Sequence, residues 1–148
     1  MDINYFDQVI TEIYKLEKLG VIKIKRYFNI DYEKLKLYEF FPDDFKYLLK
    51  QIGCVQISME ERYLLVSIMI EELDNDEFDL LDCWTDNRRL RQDSNKIFIA
   101  RNVDSAFYSY HLNENPVKIH EYCFSNRTYN NIFELLEEQV VKPGIDWK

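Results

Sequence analysis

Glycine, proline and cysteine are scarce in this chain, at three each in 148 residues, and histidine is scarcer still at two. No glycine stands in a GxGxxG arrangement or in the P-loop pattern, so neither a dinucleotide-binding turn nor a phosphate-cradling loop is available. A GxSxG nucleophile elbow is absent as well. Cys54, Cys83 and Cys123 are odd in number and far apart, with no CxxC pair. That spacing argues against a zinc knuckle, a thioredoxin-type redox pair and a secreted disulfide framework. The longest apolar-rich stretch, residues 63–70, is far short of a bilayer span. The opening Met1-Asp2-Ile3-Asn4-Tyr5 lacks a basic start followed by an apolar run, so no signal peptide is expected and the expected compartment is the cytoplasm.

Positive charge is also short: 19 Lys and Arg stand against 27 Asp and Glu, a net −8. Affinity for DNA or RNA rests largely on neutralising phosphates with basic side chains, and an acidic chain opposes it. An anionic membrane surface would repel the chain for the same reason. A basic protein surface would attract it, raising association rate more than final affinity. The expected partner is therefore a protein, with no nucleic acid and no membrane.

What is abundant is core material. Hydrophobic residues make up 47% of the chain and charged residues 31%, enough to build one core over residues 1–148 and keep it soluble. Ile3, Phe6, Val9, Ile10, Ile13 and Leu16 fall at helical spacing, with Asp2 placed to cap the start and Gly20 to end the helix. Residues 21–39 read two ways: Ile22 and Ile24, and Leu35 and Leu37, alternate as in short strands, yet Asp31 suits the cap of a short helix. Phe45, Leu48, Leu49 and Ile52 form a second apolar stripe, with Pro42, Asp43 and Asp44 at its start and Gly53 as its stop.

Beyond Gly53 the period becomes extended. Residues 55–57, 63–70 and 97–100 are rich in β-branched and apolar side chains. In residues 106–112, Ala106, Tyr108, Tyr110 and Leu112 alternate with Phe107, Ser109 and His111. After the turn Asn113-Glu114-Asn115-Pro116, a second alternating run carries Val117, Ile119 and Cys123 on one side, and together the two runs predict an antiparallel hairpin. A last helix is expected from about Asn131, with Ile132, Phe133, Leu135, Leu136 and Val140 on its inner face, ended by Lys142-Pro143-Gly144. Helices at both ends of grouped strands predict an α+β fold, a single domain with a largely antiparallel sheet covered by N-terminal and C-terminal helices.

Reactive chemistry is thinly represented. His111 and His120 lie in the two hairpin strands and could face one another with Cys123 nearby, but a metal needs three or four ligands in fixed geometry. The simpler reading is two ordinary strand residues, so no metal and no cofactor are expected. None of the three cysteines is singled out as a nucleophile. The acidic run at residues 71–79 fails the calcium-loop pattern: counting from Asp74, the sixth residue is Asp79 where glycine is needed, and the twelfth is Thr85 where glutamate is needed. It reads as a solvated surface loop or as part of a partner-binding patch. Trp84 lies beside it; tryptophan is favoured at binding hot spots and is as readily a core residue. The basic cluster Arg88-Arg89-Leu90-Arg91 is too short to outweigh the acidic total, and salt links to that loop explain it as well as any ligand does. Tyr108, Tyr110 and Tyr122 suit packing better than a base-stacking platform, since no basic track accompanies them.

The segment Phe41-Pro42-Asp43-Asp44-Phe45-Lys46-Tyr47-Leu48-Leu49-Lys50-Gln51-Ile52-Gly53 is similar to the signature helix of the SUKH superfamily. That superfamily comprises yeast cell-wall regulators of the Smi and Knr type and many bacterial immunity proteins. Residues 97–110 look like its strand–turn–strand core, Pro116-Val117 like its hairpin strand, and residues 129–136 like its terminal helix. The resemblance covers roughly residues 35–140. It departs from the family at Cys54 and at Val103, where extra glycines are often found. The resemblance implies an α+β domain with no catalytic residue of its own. Such a domain binds a cognate toxin, for example a nuclease with a basic cleft, and neutralises it inside the producing cell. A partner-binding patch would then include Glu71, Glu72, Asp74, Asp76, Glu77, Asp79 and Trp84. A regulatory scaffold of the Smi and Knr type is the alternative, with a small hydrolase using an unidentified carboxylate pair behind it.

Overall fold

The computed structural model describes residues 1–26, 31–34, 38–59, 64–68, 96–102, 106–122 and 126–147. Helix α1 (Ile3–Lys18) begins where Asp2 Oδ1 accepts the Tyr5 N–H at 3.1 Å, satisfying one donor of the first turn. It buries Phe6, Val9, Ile10, Ile13 and Leu16, while Ile3, at the stripe's outer end, stays exposed. At the other end the Gly20 N–H bonds Glu17 O and the Val21 N–H bonds Leu16 O, both at 3.0 Å, around a Gly20 φ of +76°. This is a Schellman closure, and it needs a residue that tolerates positive φ.

Strand β1 (Ile22–Arg26) follows at once, and Arg26 returns to α1 with a two-pronged ion pair to Glu17 at 2.7 and 2.9 Å. Among the described residues of the ambiguous stretch 21–39, this strand is followed by two 3-10 turns, Tyr32–Lys34 and Tyr38–Phe40. Leu35 and Leu37 lie outside the described residues. Helix α2 (Asp43–Gln51) carries Pro42 at the capping position, one residue ahead of its first turn. Phe45, Leu48 and Leu49 are buried and Ile52 is half-buried against them. Gly53 ends the helix at φ +88°, and a Cβ there would sit 2.9 Å from the Tyr32 hydroxyl, which accepts the Cys54 N–H at 2.8 Å. Glycine is required here twice over.

Among the described residues, the remaining strands are β2 (Val55–Met59), β3 (Leu64–Ile68), β4 (Lys96–Arg101), β5 (Phe107–His111), β6 (Lys118–Tyr122) and β7 (Thr128–Tyr129). With β1 they form a seven-stranded sheet in sequential order, every pairing antiparallel. The fold is α+β, as the grouping of strands predicts. Ile24 opposite Ile57, and Ile97, Tyr110 and Ile119 in one row, belong to the face that α1, α2 and the C-terminal helices cover. The other face is not uniformly polar: Phe98, Phe107 and Ser109 are buried there, so β4 and β5 are buried on both sides.

The last helix departs from expectation. Asn131 caps α3 (Ile132–Leu136) by accepting the Glu134 N–H at 2.9 Å, and Glu134 reaches back to the Asn130 N–H at 2.8 Å. Lys142-Pro143-Gly144 does not end the element. The chain widens into a π turn over Glu137–Val141, where the Lys142 N–H bonds Glu137 O, and then continues as α4 (Lys142–Trp147). Pro143 falls in the first turn of α4, where its missing N–H is tolerated. Gly144 serves packing: a Cβ there would lie 2.6 Å from Leu16 Cδ1, so α4 approaches α1 closely because no side chain intervenes.

Aromatic rings fill the space between helices and sheet. Phe6 stacks on Phe133 with centroids 4.2 Å apart, and Phe45 meets Tyr110 edge-on at 5.8 Å. No described helix is long and apolar enough to cross a membrane.

Candidate functional site

The β5–β6 hairpin sets the positions of the chain's two histidines. Ser109 pairs with His120 and His111 with Lys118, so His111 and His120 are diagonal neighbours on adjacent strands. Both alternate with core-facing residues, Tyr110 and Ile119, and so point to the face opposite the helices. Their rings stack with centroids 3.7 Å apart and planes 15° from parallel. Glu114, from the connecting turn, completes the group: its Oε1 lies 2.6 Å from His120 Nε2. The turn is closed by the Glu114 N–H bonding His111 O at 3.3 Å and contains a cis Asn115–Pro116 bond. One ligand atom from each of His111, Glu114 and His120 lies within 4.8 Å of the others, and all three residues are half-buried. The facing of the two histidines was legible from strand alternation. The part played by Glu114 was not, because a polar residue in a turn carries no period to show its direction. Cys123 lies outside the described residues.

A second concavity of about 630 Å³ opens beside α2. Tyr32, Tyr38 and Tyr47 line it together with Lys46 and Lys50, and Lys46 Nζ stands 4.8 Å over the Tyr38 ring. Tyr47 leaves its hydroxyl donating to Asp7 Oδ1 at 2.5 Å.

Several enclosed polar groups among the described residues are committed to architecture. Asp44 Oδ2 accepts from the Tyr110 hydroxyl at 2.6 Å and from the Ile132 N–H at 2.8 Å, joining α2, β5 and α3 at one atom. Burial raises the Asp44 carboxyl above its ordinary range, against the lowering effect of those hydrogen bonds, and pushes Tyr110 well above the usual phenol value. Buried Asn102 donates to the Tyr108 hydroxyl at 2.9 Å and accepts the Ala106 N–H at 3.1 Å, bracing the ends of β4 and β5. Cys54 is fully buried and its thiol is pushed up to about 12, which keeps it protonated and weakly nucleophilic at neutral pH.

All seven residues of the expected partner patch, Glu71, Glu72, Asp74, Asp76, Glu77, Asp79 and Trp84, lie outside the described residues, as do Arg88, Arg89 and Arg91. Of the three tyrosines considered for stacking, Tyr108 and Tyr110 are buried in the core, and Tyr122 is exposed with its ring edge-on to Phe98 at 6.0 Å.

In comparisons with known proteins, no family model, no curated protein and no solved structure matches the chain.

Proposed function

We propose that this chain is a non-catalytic immunity protein that binds a cognate polymorphic toxin in the cytoplasm of the producing cell. The observation that carries the reading is the order of the SUKH-like motifs along the sequence. The signature segment falls on α2, the strand–turn–strand segment on β4 and β5, Pro116-Val117 immediately before β6, and the terminal segment on β7 and α3. An α+β domain is what that resemblance implies. The net charge of −8 supports a partner with a basic face, such as a nuclease cleft, because long-range attraction would speed its capture. A stable pairing of this kind would bury on the order of 1,600 Å² in total. Steering would come from rim carboxylates and holding from a few aromatic anchors.

The test is co-expression with the C-terminal domain of the toxin encoded beside this chain's gene. Survival of the cells, together with recovery of the two proteins as one complex, is the expected outcome. Survival without any complex between them would rule out direct inhibition.

A further inference from the structure

We propose that His111, His120 and Glu114 form a binding site for a divalent transition-metal ion of the zinc class. Both histidines of the chain are in this one group, brought within 3.7 Å of each other by the β5–β6 register. The third donor already meets one imidazole nitrogen at 2.6 Å. Strand pairing sets the two histidines side by side and a turn closed on His111 carries the carboxylate, so the three residues are neighbours before any ion arrives.

The donor set selects the ion. Two imidazoles and one carboxylate suit zinc and its neighbours, whereas calcium and magnesium need a shell made mostly of oxygens. A tetrahedral zinc with bonds near 2.0–2.1 Å holds its ligand atoms about 3.3 Å apart. The donor atoms lie within 4.8 Å of one another, and the stacked imidazoles must turn out of their near-parallel arrangement to aim both nitrogens at one ion. The side chains of His120 and Glu114 are 28% and 36% exposed, so an ion reaches them from solvent and water fills its remaining position. Binding replaces the His120–Glu114 hydrogen bond with two metal bonds. The site stands on the face of the sheet away from the helices and does not depend on the toxin-binding reading.

Zn²⁺ titration of the intact protein under reducing conditions, followed by NMR of the imidazole signals, tests this directly. With two histidines in the chain, two sets of ring resonances report the whole site. Both sets are expected to shift together and saturate at one equivalent of Zn²⁺. His111→Ala and His120→Ala should each lower affinity by at least the roughly ten- to hundred-fold that loss of a supporting partner costs at metal sites. Glu114→Gln, in the solvent-facing turn, should weaken binding while leaving the hairpin folded. Ring signals that stay fixed up to millimolar Zn²⁺, or that respond singly, would overturn the proposal. So would Zn²⁺ uptake that all three substitutions leave unchanged, which would place the ion at cysteines or surface carboxylates elsewhere.

Discussion

On the helix-covered face of the sheet, the polar atoms of Tyr110 and Asp44 are enclosed and tied to each other and to the backbone of α3. On the opposite face of the same hairpin, one residue further along β5, His111 joins His120 and Glu114 where solvent still reaches. Adjacent residues of one strand thus serve different ends. Tyr110, pointing toward the helices, is fixed by packing and costs stability when removed, whereas His111 and His120, pointing away, keep their ring nitrogens near Glu114 at a part-exposed position. Perturbing each face in turn should separate the two.

The largest loss is expected for Phe133→Ala, which removes the ring stacked on Phe6 and leaves a void between α1 and α3. Denaturant unfolding should show about 3–5 kcal/mol of destabilisation. Asp44→Ala comes next, because it strands the buried Tyr110 hydroxyl and the Ile132 N–H; about 1–3 kcal/mol is expected.

Asp44 also gives the comparison a pH signature. Its carboxyl is raised in the folded state, so between the ordinary carboxylate value and the raised one the folded chain holds more protons than the unfolded chain. Stability contributed by this group therefore falls as pH rises through that window and levels off above the raised value. The stability of the native chain minus that of Asp44→Asn, measured by urea unfolding across the acidic range, should decline with increasing pH. A difference that rises with pH would reverse the assignment of burial as the dominant influence.

Glycine positions sharpen the contrast at smaller scale. Gly20→Ala meets open space and suffers only from its φ of +76°, for which about 1 kcal/mol is expected. Gly53→Ala adds a 2.9 Å clash with the Tyr32 hydroxyl to a φ of +88° and should cost more than Gly20→Ala in the same unfolding assay. The smallest effect belongs to the other face: His120→Ala, at a half-exposed position, should change stability by no more than about 0.5–1 kcal/mol while abolishing the paired imidazole response to Zn²⁺.

Where local physics and tertiary packing agree, the fold is readable from the residues. Phe6, Val9, Ile10, Ile13 and Leu16 recur at helical spacing between a capping aspartate and a glycine, and Tyr108 and Tyr110 alternate with Phe107 and Ser109 as a strand should. The misreading at Lys142-Pro143-Gly144 has a specific cause. Pro143 and Gly144 punctuate a helix under local rules, but a preceding π turn accommodates the one and the close approach to Leu16 uses the other. Burial of Phe98, Phe107 and Ser109 was equally hidden, since alternation reveals two faces without telling whether both are covered. At the candidate site the histidines were visible as a cross-strand pair and Glu114 was not. Asp44 likewise read only as a helix-dipole residue, because its bonds to Tyr110 and Ile132 span 66 and 88 positions of sequence.

The claim on which the functional reading rests is that the chain acts by holding another protein. If the proposed function holds, isothermal titration of the purified chain against an inactivated C-terminal domain of a toxin encoded beside its gene measures it most directly. Saturable binding, with an association rate in parallel stopped-flow mixing that falls steeply with added salt, is the predicted result, since an acidic surface should steer a basic one. Absence of heat and of any co-eluting complex, from a toxin domain that this chain nevertheless neutralises in cells, would contradict it.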